Sequence, residues 1–316
     1  MNFQRAFLLQ KLVHHSLSFQ HMRNASKFVP LTHRGVLEVT GRDSAKLLQG
    51  LITNDITLIS EDDEKIMHTY ILNIHGRIVN DVFVHKNTTN DESFLLDCDT
   101  GQVNGLSAHL KRYKLRSKVK FIPRQDLNVL TLFDTEKEPG DHITTDPRNK
   151  SLGSRFLSDN MDSVLASIDP LPEELSTDHY KTHRYGLGIS EGFDEADNGI
   201  PLEYNGALLN SISFTKGCYV GQELVARAHF TGVIRKRVMP LHIDNSLNFN
   251  GLTDKTVYNS KGKRAGKLLG AIDNVGLGLM RIKEAIGGKD LHLKMPDSEI
   301  RVEAKIPDWW PDDIVE

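Results

Sequence analysis

The sequence predicts an α+β chain: a body in which helices and strands interleave, then a small C-terminal antiparallel β-barrel, with a two-sheet sandwich as the alternative for that last part. Three observations predict it. At 316 residues the chain is too long for one small core and divides into two or three domains of ordinary size. Between Phe28 and Gly232, runs with the two-residue alternation of strands are interspersed with runs of helix-favouring composition. From Val233 the pattern changes to short β-favouring runs broken by Gly262, Gly266, Gly270, Gly276 and Gly278. The segments expected are therefore 1–27, 28–232 and 233–316.

The first segment contains Arg5, Lys11, Arg23 and Lys27 and no carboxylate, with Phe3, Phe7, Leu8, Leu12 and Leu17 spaced among polar residues. That is the composition of an amphipathic, organelle-directing presequence; the alternative is an ordinary helix packed on the body. A secretory signal fits poorly, because Gln10 and Lys11 interrupt the apolar core. The whole chain has a formal charge of −3, and the remainder after residue 27 carries −7. Such a balance argues against a general nucleic-acid binder. With 39% hydrophobic and 26% charged residues and a mean hydropathy of −0.36, the chain reads as soluble and globular. No apolar run approaches the roughly 18 residues of a membrane span, so no membrane insertion is expected.

The elements follow in order. Phe28 to Val39 is strand-like, and Asp43 or Ser44 can cap a short helix buried through Ala45, Leu47 and Leu48. Thr53-Asn54-Asp55 marks a turn. Lys65–Asn73 and Ile78–Val84, joined through Gly76, read as a hairpin. Phe94–Leu96 is a strand and Thr100–Leu110 a helix. Lys111–Lys120 then predicts a basic strand with six cations in ten residues, suited to phosphates, a folate polyglutamate tail or an acidic protein, or to a solvated face. Glu136–Lys150 predicts an exposed loop without functional content, and Glu173–Tyr185 a helix ending towards Gly186 and Gly188. Trp309-Trp310-Pro311 could cover an open edge of the last domain or form an exposed contact.

The richest chemistry lies in Lys216-Gly217-Cys218-Tyr219-Val220-Gly221-Gln222-Glu223-Leu224-Val225-Ala226-Arg227. Gly217 and Gly221 permit left-handed backbone or close approach on both sides of Cys218, and Gln222–Ala226 has helical composition. Cys218 thus falls near a helix N-terminus, with Lys216 two residues away, and both features favour thiolate. It suits a nucleophile or a metal ligand; a buried structural cysteine is the competing reading. The second cysteine, Cys98, lies in the strand-like Phe94–Cys98 and reads as packing. Two distant cysteines make no disulfide scaffold and fit a reducing compartment. An iron–sulfur cluster usually takes about four protein ligands. This chain could hold one only jointly with a partner or through other ligands.

The motif Lys-Gly-Cys-Tyr-x-Gly-Gln-Glu followed by Ala-Arg and by Gly232-Val233-Ile234-Arg235-Lys236-Arg237 resembles the signature of the YgfZ-type branch of the aminomethyltransferase, or glycine-cleavage T-protein, superfamily. Leu-Thr-x-Arg-Gly, Gly-Arg-Asp, Leu-Leu-Gln-Gly-Leu, Thr-Asn-Asp and Arg-Tyr-x-Leu-Arg-Ser-Lys-Val extend that likeness from about Phe28 onward. The resemblance implies an aminomethyltransferase-like, folate-binding-type body and a role as an iron–sulfur cluster assembly factor in the mitochondrial matrix. It implies A-type iron–sulfur scaffold proteins and [4Fe-4S] client proteins as partners, with Cys218 as a ligand to a cluster shared with a partner. The alternative is a folate-dependent one-carbon transferase, for which Asp81 is the catalytic candidate. For tetrahydrofolate, the residues so implied are Arg184, Glu191, Glu203, Lys216, Gln222 and Arg227. Two departures bear on that alternative. Asn80 replaces one of a pair of aspartates in the family's Gly-x-x-x-Asp-Asp element, and Gly186 stands where the pteridine-recognising glutamate is expected.

Overall fold

Strand β1 (Lys27–Pro30) and strand β2 (Arg34–Thr40) are separated by a single turn yet enter different sheets, and this crossing sets the architecture. The computed structural model describes residues 26–61, 64–134, 143–244, 249–287, 290–296 and 298–314. The expected presequence lies outside the described residues except for Ser26 and Lys27, and Lys27 already pairs with Phe133 and Glu173.

After β2 the chain forms helix α1 (Ser44–Gln49), which buries Leu47 and Leu48. Asp43 occupies its cap position but caps nothing: its carboxylate accepts the backbone N–H of Lys118 at 2.6 Å. A short α2 (Thr57–Ser60) precedes the expected hairpin, β3 (Ile66–Leu72) and β4 (Ile78–Lys86), whose turn contains Gly76 at φ 74°. Strand β5 (Ser93–Asp99), helix α3 (Val103–Lys114) and β6 (Lys120–Arg124) complete a sheet of order β3-β4-β5-β2-β6.

The basic strand expected over Lys111–Lys120 is not formed. Leu106, Leu110 and Tyr113 keep one apolar face of α3 against the sheet, so the helix continues to Lys114. Lys111, Arg112 and Lys114 fall in its last turn, where the helix dipole favours cations. Leu115, at φ 46°, ends the helix.

The chain returns to the first sheet with β7 (Asn128–Phe133), β8 (Thr144–Thr145) and β9 (Ser154–Ser158). Of the loop expected at 136–150, residues 136–142 lie outside the described residues. The rest is far from featureless, since Ile143, Asp146 and Arg148 are buried. Helix α4 (Met161–Ala166) leads to β10 (Glu173–Glu174), which pairs with β1. Helix α5 (Thr177–Gly186) therefore begins four residues later than the sequence suggested, where the Ser176 hydroxyl accepts from His179 N–H.

Helices α6 (Phe193–Ala196) and α7 (Gln222–Phe230) precede the last domain. Strands β11 (Lys236–Ile243), β12 (Thr256–Tyr258), β13 (Arg264–Ile272), β14 (Val275–Arg281), β15 (Leu291–Lys294) and β16 (Glu299–Ala304) close a barrel of order β11-β14-β13-β12-β15-β16, with α8 (Ile282–Gly287) between β14 and β15. Closure rules out the sandwich and leaves no open edge for the tryptophans to cover. Trp310 instead joins the barrel core, and Trp309 Nε1 donates to the Leu187 carbonyl at 2.8 Å. The barrel thereby sits on α5, where Gly270 of β13 leaves room for the Tyr185 ring.

Candidate functional site

Lys216 reaches back across the whole body. Its Nζ donates to the carbonyls of Gln49, Ile52 and Asn54 at 2.8, 2.8 and 2.6 Å, ending α1 and the turn that follows it. These oxygens face inward without helical partners, so one ammonium with three N–H groups satisfies them together. Burial lowers its pKa to about 8, and the Asp55 carboxylate opposes that fall. Lys216 is thus an anchor for the loop rather than a free cation beside Cys218 or a ligand contact.

The rest of the loop is fixed just as locally. Val220 N–H donates to the Gly50 carbonyl at 3.0 Å, and Gln222 Oε1 accepts the Tyr219 N–H at 3.2 Å. Gly221 precedes α7 at φ 81°, and a Cβ there would meet Asn73 O at 2.5 Å and Gly76 Cα at 2.9 Å. Two glycines from distant parts of the chain therefore let the β3–β4 turn rest on the start of α7. Gly217 differs: a Cβ would meet nothing within 4 Å, and its φ is not left-handed. Only one of the two glycines is required by the backbone.

Between these anchors Cys218 is exposed, while Cys98 is fully buried in the body core. Burial pushes the Cys98 thiol up to about 12, with Arg34 partly opposing, so it stays protonated and inert. Around the loop, Ile74 in the supporting turn and Phe230 at the end of α7 are 68% and 69% exposed. The Phe214 ring stacks on His229 at 3.7 Å beneath that end. Arg227 points outward from α7. Among the described residues no group of three or more His, Cys, Asp or Glu side chains is arranged to hold a metal ion.

The other sequence candidates lie elsewhere, in a buried ion cage between the two sheets. Asp97 accepts from Arg34 Nε and Arg155 Nε, both at 2.7 Å. Asp81 accepts from Arg34 Nη1 at 3.4 Å and from Gly192 N–H at 3.1 Å. Glu191 Oε2 takes Arg148 Nη2 at 2.8 Å, Arg155 Nη1 at 3.1 Å and Tyr180 OH at 2.7 Å, and its Oε1 meets His33 at 3.3 Å. Arg155 and Arg148 lie over the Phe83 ring at 3.8 and 4.5 Å. Burial alone would raise the Asp81 and Asp97 carboxyls; Arg34 at Asp81, and Arg155 with Arg34 at Asp97, hold both well below the usual carboxylate range.

This arrangement reassigns the residues named for tetrahydrofolate. Arg184 is buried on Glu195 at 2.8 Å and on the Ile189 carbonyl at 2.7 Å, and Glu191 has no exposed side-chain surface. Glu203 lies beside Lys236 at 3.8 Å, on the barrel side. The carboxylate at Asp81 is likewise already paired with an internal cation, Arg34. Arg184 and Glu191, both paired internally, present almost no surface to a ligand. Sequence reasoning missed Arg34, Asp97, Asp146, Arg148, Arg155 and Glu195. The one local signal was an aspartate inside the apolar run Phe94–Cys98.

Two family models match the chain: the GCVT N-terminal domain over residues 10–132 and the CAF17 C-terminal beta-barrel domain over residues 235–312. The chain is 34% identical over 307 residues to the mitochondrial iron-sulfur cluster assembly factor IBA57 of Mus musculus and 33% identical over 305 residues to that of Homo sapiens. Each alignment covers 89% of this chain and 84% of the relative. The homologue in Mycosarcoma maydis is 31% identical, covering 91% and 85%. In fold the chain is similar to the crystal structure of the glycine cleavage system aminomethyltransferase T from Bartonella henselae, with a TM-score of 0.65, 13% identity and coverage of 92% and 88%.

Proposed function

The chain belongs to the IBA57 family of mitochondrial iron–sulfur cluster assembly factors, and from that premise we propose that it supports maturation of [4Fe-4S] proteins in the mitochondrial matrix by presenting Cys218 to a cluster held jointly with a partner's thiolates. The observation that carries this reading is the contrast between the two cysteines: Cys218 is exposed on a loop fixed at both ends, and Cys98 is sealed in the core. One thiolate cannot hold a cluster alone, and among the described residues no group of three or more His, Cys, Asp or Glu side chains is arranged to hold a metal ion. The cluster is cargo, and an A-type iron–sulfur scaffold protein is the partner whose thiolates would complete it. The acid-free residues 1–27 suit delivery to that compartment.

The chain's own contribution is positional. The Lys216 anchor, the Val220–Gly50 bond and the Gly221–Gly76 contact hold the loop so that Cys218 meets iron without first being ordered. On binding, the thiol releases its proton to solvent and the sulfur takes a coordination position on iron.

Alkylation tests it. Iodoacetamide at neutral pH should label Cys218 and leave Cys98 untouched, and the cluster-loaded complex with an A-type scaffold should protect Cys218. Undiminished labelling of Cys218 in that complex would refute shared ligation.

A further inference from the structure

Helix α1 and the Leu115–Ser117 turn form the walls of a groove that reaches Val220, two residues from Cys218. Two residues of chain span at most about 7 Å, so the groove and the thiol are neighbours. Its floor is apolar, with Leu47, Leu51 and Tyr113, and its rim carries Lys46 and Arg116. The same turn continues into a second depression lined by Lys114, Lys118 and Lys120.

Three features set this surface apart from an ordinary solvated face. Residues 111–120 hold six cations and no acid in a chain of net charge −3. Among the described residues Lys46, Arg116, Lys118 and Lys120 form no ion pair with a carboxylate, and the nearby Asp43 is taken by the Lys118 backbone. At the centre stands Leu115, 89% exposed and at φ 46°. A bulky apolar side chain there is unfavourable twice over, in backbone and in solvation, for the free protein.

We propose that this groove is the docking surface for an acidic face of the partner protein that shares a cluster at Cys218, with Leu115 as its apolar anchor and Lys46, Arg116 and Lys118 as its charged rim. This deepens the reading of Cys218 and rests on it for the partner's identity. Apolar anchors with a charged rim give an interface both grip and electrostatic steering. The continuity through Val220 places the partner's thiolates beside Cys218 as soon as it docks. Docking precedes the cluster and does not require it.

The test titrates the full chain against an A-type scaffold protein free of cluster, at low and at physiological salt. The triple variant Lys46→Glu, Arg116→Glu, Lys118→Glu should bind about tenfold more weakly or worse and lose most of the salt dependence, with an unchanged melting temperature. Leu115→Gly should raise the melting temperature yet weaken binding, a pairing that a merely structural role would not give. Lys261→Glu with Lys263→Glu, on the exposed barrel surface, should bind normally. Cys218→Ser should bind the cluster-free scaffold like the parent and fail only to share a cluster. Parent-like binding by the triple variant overturns the docking site, even where Cys218→Ser shows the cluster to be shared. Single-stranded DNA or anionic vesicles that bind the parent, lose the triple variant and leave scaffold affinity untouched would overturn it in favour of a nucleic acid or a membrane. A cluster shared equally by Cys218→Ser would instead refute the ligation reading and leave docking to the triple variant.

Discussion

Lys216 and Gln49 are 167 residues apart in sequence, and the Lys216 ammonium donates to the Gln49 carbonyl at 2.8 Å. That bond, with its two companions at Ile52 and Asn54, converts a loop tip into a fixed platform. It explains why a lysine immediately before Gly-Cys matters without acting on the thiol.

Lys216→Met should cost about 2–3 kcal/mol, because three inward carbonyls lose a charged donor. Lys216→Arg should recover little, since a planar guanidinium cannot aim at all three oxygens. Urea denaturation measures both. A parent-like midpoint for the Met variant would show the anchor to be dispensable.

The two glycines flanking Cys218 should separate cleanly. Gly217→Ala is expected to be neutral, as its Cβ meets nothing, whereas Gly221→Ala should lose about 2–3 kcal/mol through left-handed strain and contact with Asn73 and Gly76. Equal melting temperatures would contradict the geometry.

As pH falls, stability should be lost in two steps, first through His68 and His85, each 3.8 Å from a cage carboxylate, and then through the cage carboxylates themselves. Burial holds the His68 and His85 imidazoles below their ordinary 6.5, so below that pH the unfolded chain takes up protons that the fold refuses. Their contribution is full above 6.5 and falls as pH drops. Asp81, Asp97 and Glu191 are held low in the fold, and their contribution falls in the same direction once pH passes below about 4, where unfolded carboxylates protonate. Stability measured from pH 8 to 3 should therefore begin to decline near 6.5 and steepen below about 4. A flat profile down to pH 4 would remove the histidine part.

Within the cage, Asp97→Asn should destabilise by about 3–5 kcal/mol, because Arg34 and Arg155 both lose their common partner. Asp81→Asn should be milder, as Arg34 retains Asp97, and should leave cluster sharing intact. Abolition of cluster sharing by a well-folded Asp81→Asn would return chemistry to Asp81.

Much of this was legible in the sequence where the signal was local. The Ile66–Lys86 hairpin follows from alternation and Gly76, and the glycine-punctuated tail does form a barrel. The Cys218 loop announced itself by its residue types. What failed was long-range. Lys111–Lys120 alternates like a strand, yet Leu110 and Tyr113 extend the helix because a sheet lies beneath them. Arg148, in a stretch that reads as loop, is buried because Asp146 and Glu191 await it, and nothing within ten residues reveals Glu191. Arg184 and Glu191 looked like ligand contacts because buried charge and binding charge share one vocabulary in sequence; only their partners distinguish them.

The most direct measurement is the visible absorption of a cluster reconstituted on an A-type scaffold together with this chain, for the parent and for Cys218→Ser. The account predicts a stable joint cluster with the parent. With Cys218→Ser it predicts a normally folded protein that docks but does not retain one. Full retention of the joint cluster by Cys218→Ser would contradict the central claim and leave Cys218 a structural residue of its loop.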